Sequence, residues 1–232
     1  MPVLAYTTVA TTQALPSFFT TFSGGTENPI SEGGNWNGKP VPAVFTNAVQ
    51  KSGGIAFDGG TATSVNDAVA VVNTQAFNPV STKVRITITL SVTGAIGAGE
   101  VEIHFNNHFT STDIQLYELD FTNGGILAVK WLGPQGSIFF PLSTVSGGGG
   151  WSGGAPPSTG DTVTAERTDN GSVVTISVVH TPISTGIPFS MLVCQDSLAI
   201  SGSNIYTTGQ PGMGFDNGTN VFAIDSYRCE NF

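Results

Sequence analysis

The chain has 232 residues, and only 10% of them are charged, against a usual share of roughly 25%. Its 7 basic and 16 acidic side chains give a net charge of −9, which would repel a phosphate backbone or an anionic membrane surface, so neither nucleic acid nor membrane insertion is expected. A surface covered by uncharged polar residues is typical of extracellular and virion proteins and unusual for a cytosolic enzyme.

The first 18 residues predict an extended arm. They carry no positive charge and no continuous apolar core, so they are not a recognisable signal peptide. No composition break and no internal repeat divides the remainder of the chain. We therefore expect an arm over residues 1–18, able to pack on a neighbouring molecule, and a single domain over residues 19–232.

Short runs rich in Val, Ile, Thr and Phe recur along the chain between Gly, Pro, Asn and Asp, with almost no helical periodicity. This pattern predicts an all-β protein built as a two-sheet antiparallel β-sandwich of the jelly-roll type. The predicted strands lie at residues 19–22, 43–47, 54–58, 67–72, 83–92, 100–109, 113–122, 126–132, 137–142, 161–168, 172–180, 188–194 and 221–229.

Two turns and one loop punctuate these strands. Asn123-Gly124-Gly125 and Asp169-Asn170-Gly171 each lie between two predicted strands. Glycine and asparagine adopt left-handed backbone angles with little strain, so both segments predict hairpin turns. The Gly- and Pro-rich stretch 146–160 contains Trp151 and predicts a long loop. Loops of this length are often functional, so Trp151 is a candidate contact residue.

The run EVEIHFNNHF at 100–109 alternates almost perfectly between polar and apolar residues. Alternation predicts that Glu102, His104 and Asn106 share one side of a strand, either as a plain solvated face or as a polar groove that contacts a sugar or a partner. His104 and His108 are about 13 Å apart along a strand, which does not favour a shared metal ion. The apolar residues expected on the core side are Val101, Ile103, Phe105 and Phe109.

The two cysteines leave two alternatives open. Cys194 and Cys229 are 35 residues apart, with no CxxC pair and no histidine beside them, so a zinc site is not indicated. They form either one disulfide, which would pin the last strand, or two buried thiols.

Several separated segments, taken in order, resemble the concanavalin A-like, laminin-G-like β-sandwich family of bacterial and phage proteins. They are FSGGTENPISEGGNWNG at 22–38, AFNPVSTKVRITITLSVTGAIGAGEVEIHFN at 76–106, IQLYELDFTNGGILAVKWL at 114–132, GDTVTAERTDNGSVVTISVV at 160–179 and GQPGMGFDNGTNVFAIDSYR at 209–228. The resemblance covers most of the chain and implies two packed antiparallel sheets. It does not imply one function, because members bind glycans, cleave polysaccharides or serve as adhesins and virion parts.

The resemblance also implies candidate sites. Glycan-binding members use aromatic platforms, for which Trp131 and Trp151 are the candidates beside the polar row Glu102, His104 and Asn106. Many such sandwiches tie their first and last strands together with a structural calcium ion. Glu27 and Asp225 are the candidate calcium ligands here.

Enzymatic motifs of the family are incomplete in this chain. Laminarinase-type members carry E-x-D-x-x-E on one strand, whereas here Glu118 and Asp120 are followed by Asn123, which cannot exchange a proton as a carboxylic acid does. Lyase-type members use Gln-Ile-His, and this chain has Glu102-Ile103-His104. No catalytic residue is assigned, and YELDF is interpreted as an ordinary strand.

The sequence therefore favours a non-enzymatic, lectin-like β-sandwich that acts in attachment or glycan contact on an extracellular or virion surface. Two alternatives stay open. One is a structural virion or appendage subunit whose arm contacts neighbouring copies, which would make the protein a homo-oligomer. The other is a diverged glycoside hydrolase or polysaccharide lyase.

Overall fold

The computed structural model describes residues 15–38, 40, 47–59, 67–79, 82–94, 99–110, 112–133, 139–145, 151, 155–216 and 221–232, without the side chains of 143–145. Fifteen strands lie in this part of the chain: β1 Ser17–Thr20, β2 Trp36–Asn37, β3 Val49–Ser52, β4 Ile55–Asp58, β5 Ala68–Val72, β6 Lys83–Val92, β7 Glu100–Phe109, β8 Ile114–Thr122, β9 Gly125–Gly133, β10 Phe139–Val145, β11 Thr162–Asp169, β12 Val173–Thr181, β13 Phe189–Ser197, β14 Gln210–Asp216 and β15 Phe222–Asn231. One short helix, α1 Leu198–Ser201, accompanies them. None of the helical structure described is long and apolar enough to cross a membrane.

The strands form two antiparallel sheets. The eight-stranded sheet has the order β13-β12-β11-β6-β15-β4-β3, with β1 paired to β15. The seven-stranded sheet has the order β10-β9-β8-β7-β14-β5-β2. Neighbours such as β6 and β15, or β7 and β14, are far apart in sequence, as in a jelly roll. The predicted two-sheet β-sandwich is thus confirmed.

The eight-stranded sheet has one buried face and one solvent-exposed face. In β6 the buried residues Val84, Ile86, Ile88 and Leu90 alternate with partly or fully exposed Lys, Arg and Thr residues. Strand β12 repeats the pattern. This alternation is why both strands could be predicted from the sequence.

The seven-stranded sheet is different, because both of its faces are buried. All five residues of β5 are buried, and β8 and β9 are buried along most of their length. One face packs on the eight-stranded sheet and forms the main core. The outer face carries a second apolar cluster made of Val69, Val71, Ile114, Leu116, Val129 and Trp131, with Phe109 and Leu127 packed against it.

Both predicted hairpins are present, joining β8 to β9 and β11 to β12. The sequence prediction missed β2, β3 and β14, which are short or rich in glycine and carry no run of β-branched residues. Most of the strand predicted at 43–47 and most of the arm predicted over 1–18 lie outside the described residues. The division into an arm and a single domain stays a prediction, although Ser17–Thr20 already pairs with β15.

The two cysteines do not form a disulfide, so that alternative was wrong and the alternative of two buried thiols holds. Cys194 lies on β13 and Cys229 on β15, and both are free and buried. Strands β12, β11 and β6 separate them in the sheet. Four interstrand spacings amount to about 19 Å, far beyond the roughly 7 Å that a disulfide spans between Cα atoms.

We expect the native thiols to react slowly and the unfolded ones to react fully. Burial, followed by the charge of Asp196, raises the pKa of Cys194 to about 11, and burial raises that of Cys229 as well. The thiolate is the reactive form, so little of it is present at neutral pH. Thiol titration without reductant should find two thiols per chain in denaturant and almost none in the native protein. A count of zero in denaturant would contradict the free thiols.

Candidate functional site

Four ionisable side chains meet on the outer face of the seven-stranded sheet, the face turned away from the eight-stranded sheet. Glu102 and His104 come from β7, and Glu118 and Asp120 come from β8. The strand register places His104 opposite Glu118 and Glu102 opposite Asp120. All four are buried. We call these four residues the outer-face cluster.

The cluster is tightly connected. His104 Nε2 lies 2.7 Å from Glu102 Oε2 and 3.5 Å from Glu118 Oε2. The indole Nε1 of Trp131 donates a 2.8 Å hydrogen bond to the other oxygen of Glu118, Oε1. Trp131, expected as a glycan platform, is therefore a buried residue that orients a carboxylate.

Two overlapping trios in this region could hold a metal ion, Glu102–His104–Glu118 and Glu100–Glu102–Asp120. Within each trio, one possible ligand atom of every residue lies within 4.8 Å of the others. Glu100 joins the cluster from the start of β7, where it is half-buried.

A glycine on β14 makes room for the cluster. Gly214 pairs with Glu102, and a Cβ atom at position 214 would overlap Glu102 Oε2 and crowd the ring of His104. Any larger residue there would displace the carboxylate. The second glycine of the PGMGF sequence is thus explained by the side chains of the neighbouring strand.

Burial and mutual repulsion dominate the electrostatics. Burial, then the negative charge of Glu118, raises the pKa of Glu102 and of Asp120 well above the usual carboxyl range. Burial, then Asp216, raises the pKa of Glu100 to about 7. Among the described residues, His104 is the basic side chain that forms ion pairs with the cluster carboxylates.

The expectation of a wet polar face on EVEIHFNNHF was wrong. Glu102, His104 and Asn106 are all buried. Alternation separates the two faces of a strand, but it does not reveal whether the polar face is covered. A signal was available in the neighbouring strands, where Leu116, Val129, Val69 and Val71 put apolar residues on the same face. A face shared by apolar and acidic residues is more consistent with burial than with solvation.

The alternation also breaks within β7. The pairing with β8 shifts between Phe105 and His108, so that Asn106 and Asn107 form a bulge. Asn106 has φ of 58°, a left-handed conformation that asparagine tolerates better than most residues. After the bulge the faces are exchanged. Phe109, expected in the main core, packs against the outer apolar cluster instead.

The bulge opens a cleft at the end of the sheet. Its volume is about 240 Å³, and its walls are formed by Asn106, His108, Gln115, Ile205, Tyr206, Thr207 and Thr208. Gly209 permits the close approach of the chain here, because a Cβ atom at that position would lie 2.5 Å from the carbonyl carbon of Asn106. A second cleft of about 380 Å³ adjoins it and shares Ile205 and Thr207. We call the first of these the Asn106 cleft.

Trp151 is a core residue, which corrects the expectation of an exposed contact in the Gly-rich loop. Its ring is fully buried and packs edge-on against His180, with centroids 5.0 Å apart, and against Phe121 at 6.1 Å. Its Nε1 donates a 2.8 Å hydrogen bond to the carbonyl of Thr122.

Glu27 and Asp225 cannot share a calcium ion. A continuous row of paired residues runs Ile224, Ala56, Lys51, Glu27 across the sheet, so Glu27 lies about 14 Å from the strand of Asp225. Glu27 already accepts hydrogen bonds from the amides of Ser31 and Glu32, and it pairs with Lys51 at 3.2 Å. Asp225 is an exposed residue at a bulge of β15. The calcium site inferred from the resemblance was placed wrongly.

The YELDF strand is more than an ordinary strand. Asn123 lies in the β8–β9 turn as expected, so the third acid of the laminarinase motif is absent. Glu118 and Asp120, however, both belong to the outer-face cluster. The sequence did not reveal this, since their partners Glu102 and His104 are brought beside them only by the pairing of β7 with β8.

No protein-family profile matches the chain, and no curated protein matches its sequence. Solved structures with a similar fold were found. The exoplasmic, lumenal domain of VIP36, in its Ca²⁺- and Man3GlcNAc-bound form, superposes with a TM-score of 0.54 at 8% identity, covering 89% of this chain and 88% of that one. The chain therefore has the concanavalin A-like β-sandwich fold, as the sequence resemblance implied.

Two further similar structures are an enzyme and a lectin. The β-porphyranase from the human gut bacterium Bacteroides plebeius has a TM-score of 0.48 at 10% identity, covering 92% of this chain and 89% of that one. The metal-free lectin I-B4 from Griffonia simplicifolia also has 0.48, at 12% identity, covering 93% and 99%.

Removing the charge of Glu100 should flatten the dependence of stability on pH. Its carboxyl has a pKa of about 7 when folded and about 4.5 when unfolded, so the folded state holds the proton more tightly. The stability it contributes is present below pH 4.5 and is lost as the pH rises to about 7. In chelator-treated protein, Glu100→Gln should therefore lose less stability between pH 4.5 and 7, measured as the shift in Tm by calorimetry.

The exposed carboxylate of Asp225 provides the control for this experiment, and Asp225→Asn should retain the pH dependence of the unmodified chain. Equal Tm shifts for Glu100→Gln and the unmodified chain would contradict the raised pKa.

Proposed function

We propose that the protein is a non-enzymatic, lectin-like β-sandwich that acts in attachment or glycan contact on an extracellular or virion surface. The concanavalin A-like fold supports this proposal, since the VIP36 domain that shares it was solved with Man3GlcNAc bound. The low share of charged residues supports the extracellular or virion setting. The contact site we propose is the Asn106 cleft.

The observation that carries the site is the side chain of Asn106. Its Nδ2 donates a 3.1 Å hydrogen bond to the carbonyl of Thr208, which fixes the amide in one orientation. Its Oδ1 is buried and has no hydrogen-bond partner within the described structure. A buried acceptor without a partner is costly, and a ligand hydroxyl that reaches it through a small movement of the cleft wall would satisfy it.

The remaining walls of the cleft suit a sugar. His108 is exposed and Gln115, which pairs with it across β7 and β8, is half-exposed, so both can exchange hydrogen bonds with hydroxyls. Tyr206 is held by a 2.7 Å hydrogen bond from its hydroxyl to the carbonyl of Trp131, and its half-buried ring offers an apolar surface. The lining carries no carboxylate and no lysine or arginine. An uncharged ligand with several hydroxyls fits these groups better than an ionic one.

The carboxylates do not favour an enzyme of the glycosidase type. The acids of the outer-face cluster are buried, whereas a polysaccharide must reach the carboxyl groups that cleave it. Among the described residues, those that line the Asn106 cleft include no acid. The outer-face cluster and the Asn106 cleft together therefore favour glycan binding over glycan cleavage.

Glycan binding should depend on the cleft and not on the rest of the surface. A glycan array with purified protein identifies a ligand, and calorimetry then measures its affinity. Asn106→Gly retains the left-handed backbone conformation while removing the amide, and it should weaken binding at least about tenfold, as loss of a buried polar contact does. Gln115→Ala should weaken it as well.

Gln195→Ala is the matched control, because Gln195 is an exposed strand glutamine on β13 and is not part of the Asn106 cleft. It should leave affinity unchanged, and all three variants should keep the Tm of the unmodified chain within a few degrees. An affinity that does not respond to Asn106→Gly or Gln115→Ala would place the site elsewhere. Failure to bind any glycan would instead favour the structural virion or appendage subunit, for which the oligomeric state with and without residues 1–18 is the next measurement.

A further inference from the structure

The outer-face cluster has an excess of negative charge that its own residues do not balance. Glu102, Glu118 and Asp120 are buried side by side, and Glu100 adds a fourth carboxyl group. In the described part of the chain, only His104 pairs with Glu102 and Glu118. One imidazolium can offset at most one of these charges. Buried charges are stable only when they are paired, protonated or bound to a metal.

Two buried polar atoms of the cluster have no recorded hydrogen-bond partner. Asp120 Oδ1 is buried and has no hydrogen-bond partner within the described structure, and the same is true of His104 Nδ1. A proton shared between Asp120 and Glu118, whose side chains lie within hydrogen-bond reach of each other, lowers the total charge but adds no positive group to the cluster. Buried acids grouped around one imidazole, with a buried oxygen and a buried nitrogen that have no recorded partner, point to a missing electropositive ligand.

We propose that the outer-face cluster binds a divalent transition-metal ion of the Zn²⁺ or Mn²⁺ kind, with His104 Nε2, Glu102 and Glu118 as ligands and Asp120 completing the site. An imidazole nitrogen combined with carboxylates is typical of these ions. Calcium prefers six to eight oxygen ligands, and a site centred on a histidine suits it poorly. The proposal is independent of glycan binding in the Asn106 cleft.

The geometry of the trio Glu102–His104–Glu118 fits such an ion with small adjustments, whereas Asp120 belongs to the other trio and would have to move toward it. Ligand bonds of about 2.1 Å in a tetrahedral site place neighbouring donor atoms about 3.4 Å apart. The distance from His104 Nε2 to Glu118 Oε2 is already 3.5 Å. The distance from His104 Nε2 to Glu102 Oε2 is 2.7 Å, a hydrogen bond that would open by somewhat less than 1 Å on metal binding.

The surroundings support the same ligand set. Trp131 Nε1 engages Glu118 Oε1 and so leaves Oε2 directed at His104, which is the kind of outer contact that orients a metal ligand. Gly214 keeps the space beside Glu102 and His104 free of side-chain atoms.

The experiment uses the full chain, stripped with EDTA and dialysed. Metal content is measured after incubation with ZnCl₂, MnCl₂ or CaCl₂, and Tm is followed with each ion. We expect one Zn²⁺ or Mn²⁺ per chain, and a rise in Tm of about 5–10 °C at concentrations a hundredfold above Kd. No bound metal and no change in Tm with Zn²⁺ or Mn²⁺ would overturn the proposal. Binding of Ca²⁺ alone would overturn the assigned class of ion.

Asp120→Asn separates a metal site from a structural role. The substitution removes one uncompensated charge at nearly constant shape, so the metal-free variant should be at least as stable as the unmodified chain while losing most of the metal-dependent rise in Tm. If that variant does not fold, Glu118→Gln provides the second test, with the Trp131 hydrogen bond to its side-chain oxygen retained.

Two control variants exclude metal bound at the surface. Asp225→Asn removes an exposed carboxylate, and His108→Ala removes the exposed imidazole of the neighbouring cleft. Both should keep the full metal-dependent rise in Tm. A rise that survives Asp120→Asn and Glu118→Gln but disappears in either control would show that the ion binds elsewhere, and would overturn the proposal.

Discussion

The alternation of side chains along a β-strand is the constraint on which the rest of this structure depends. Successive side chains of each strand lie on opposite faces of its sheet, and the two sheets of this protein differ in how many of their faces are buried. The eight-stranded sheet gives one face to the core and one to water. The seven-stranded sheet buries both faces, so most side chains along its central strands must pack or pair inside the protein. Polar residues on those strands therefore become parts of buried networks instead of solvated surface.

The outer-face cluster follows from this arrangement. Strands β7 and β8 carry acids at every second position on one side, and pairing stacks them in adjacent rows. Trp131 and Gly214, from the strands on either side, then define the orientation and the space of the carboxylates. Burial strengthens electrostatic interactions. Unpaired negative charges in the cluster would therefore destabilise the fold, whereas a bound cation would be held strongly.

The bulge at Asn106 and Asn107 divides one strand between two roles. Before the bulge, the polar residues of β7 point to the outer face and build the cluster. After it, His108 lies in the Asn106 cleft, while Phe109 turns to the outer apolar cluster. A single extra residue thus separates a buried charged site from a solvent-open uncharged one. Bulges commonly re-aim side chains in this way near functional sites.

The sequence by itself determined the fold class, most of the strands and two hairpins. These features depend on local signals, such as the alternation in Lys83–Val92 and the Asn-Gly turns at 123–124 and 170–171, and local backbone preferences decide them. It also identified Glu102, His104 and Asn106 as the notable polar residues of the chain.

Tertiary structure alone decided what those residues do. Whether the polar face of a strand is wet depends on what covers it, and the strand's own sequence does not contain that information. The same applies to Trp151, which a glycine-rich segment made appear exposed, and to Cys194 and Cys229, whose separation is set by the order of strands in the sheet. The cluster required β7 and β8 in one particular register, and a shift of one residue would have sent its acids to the opposite face.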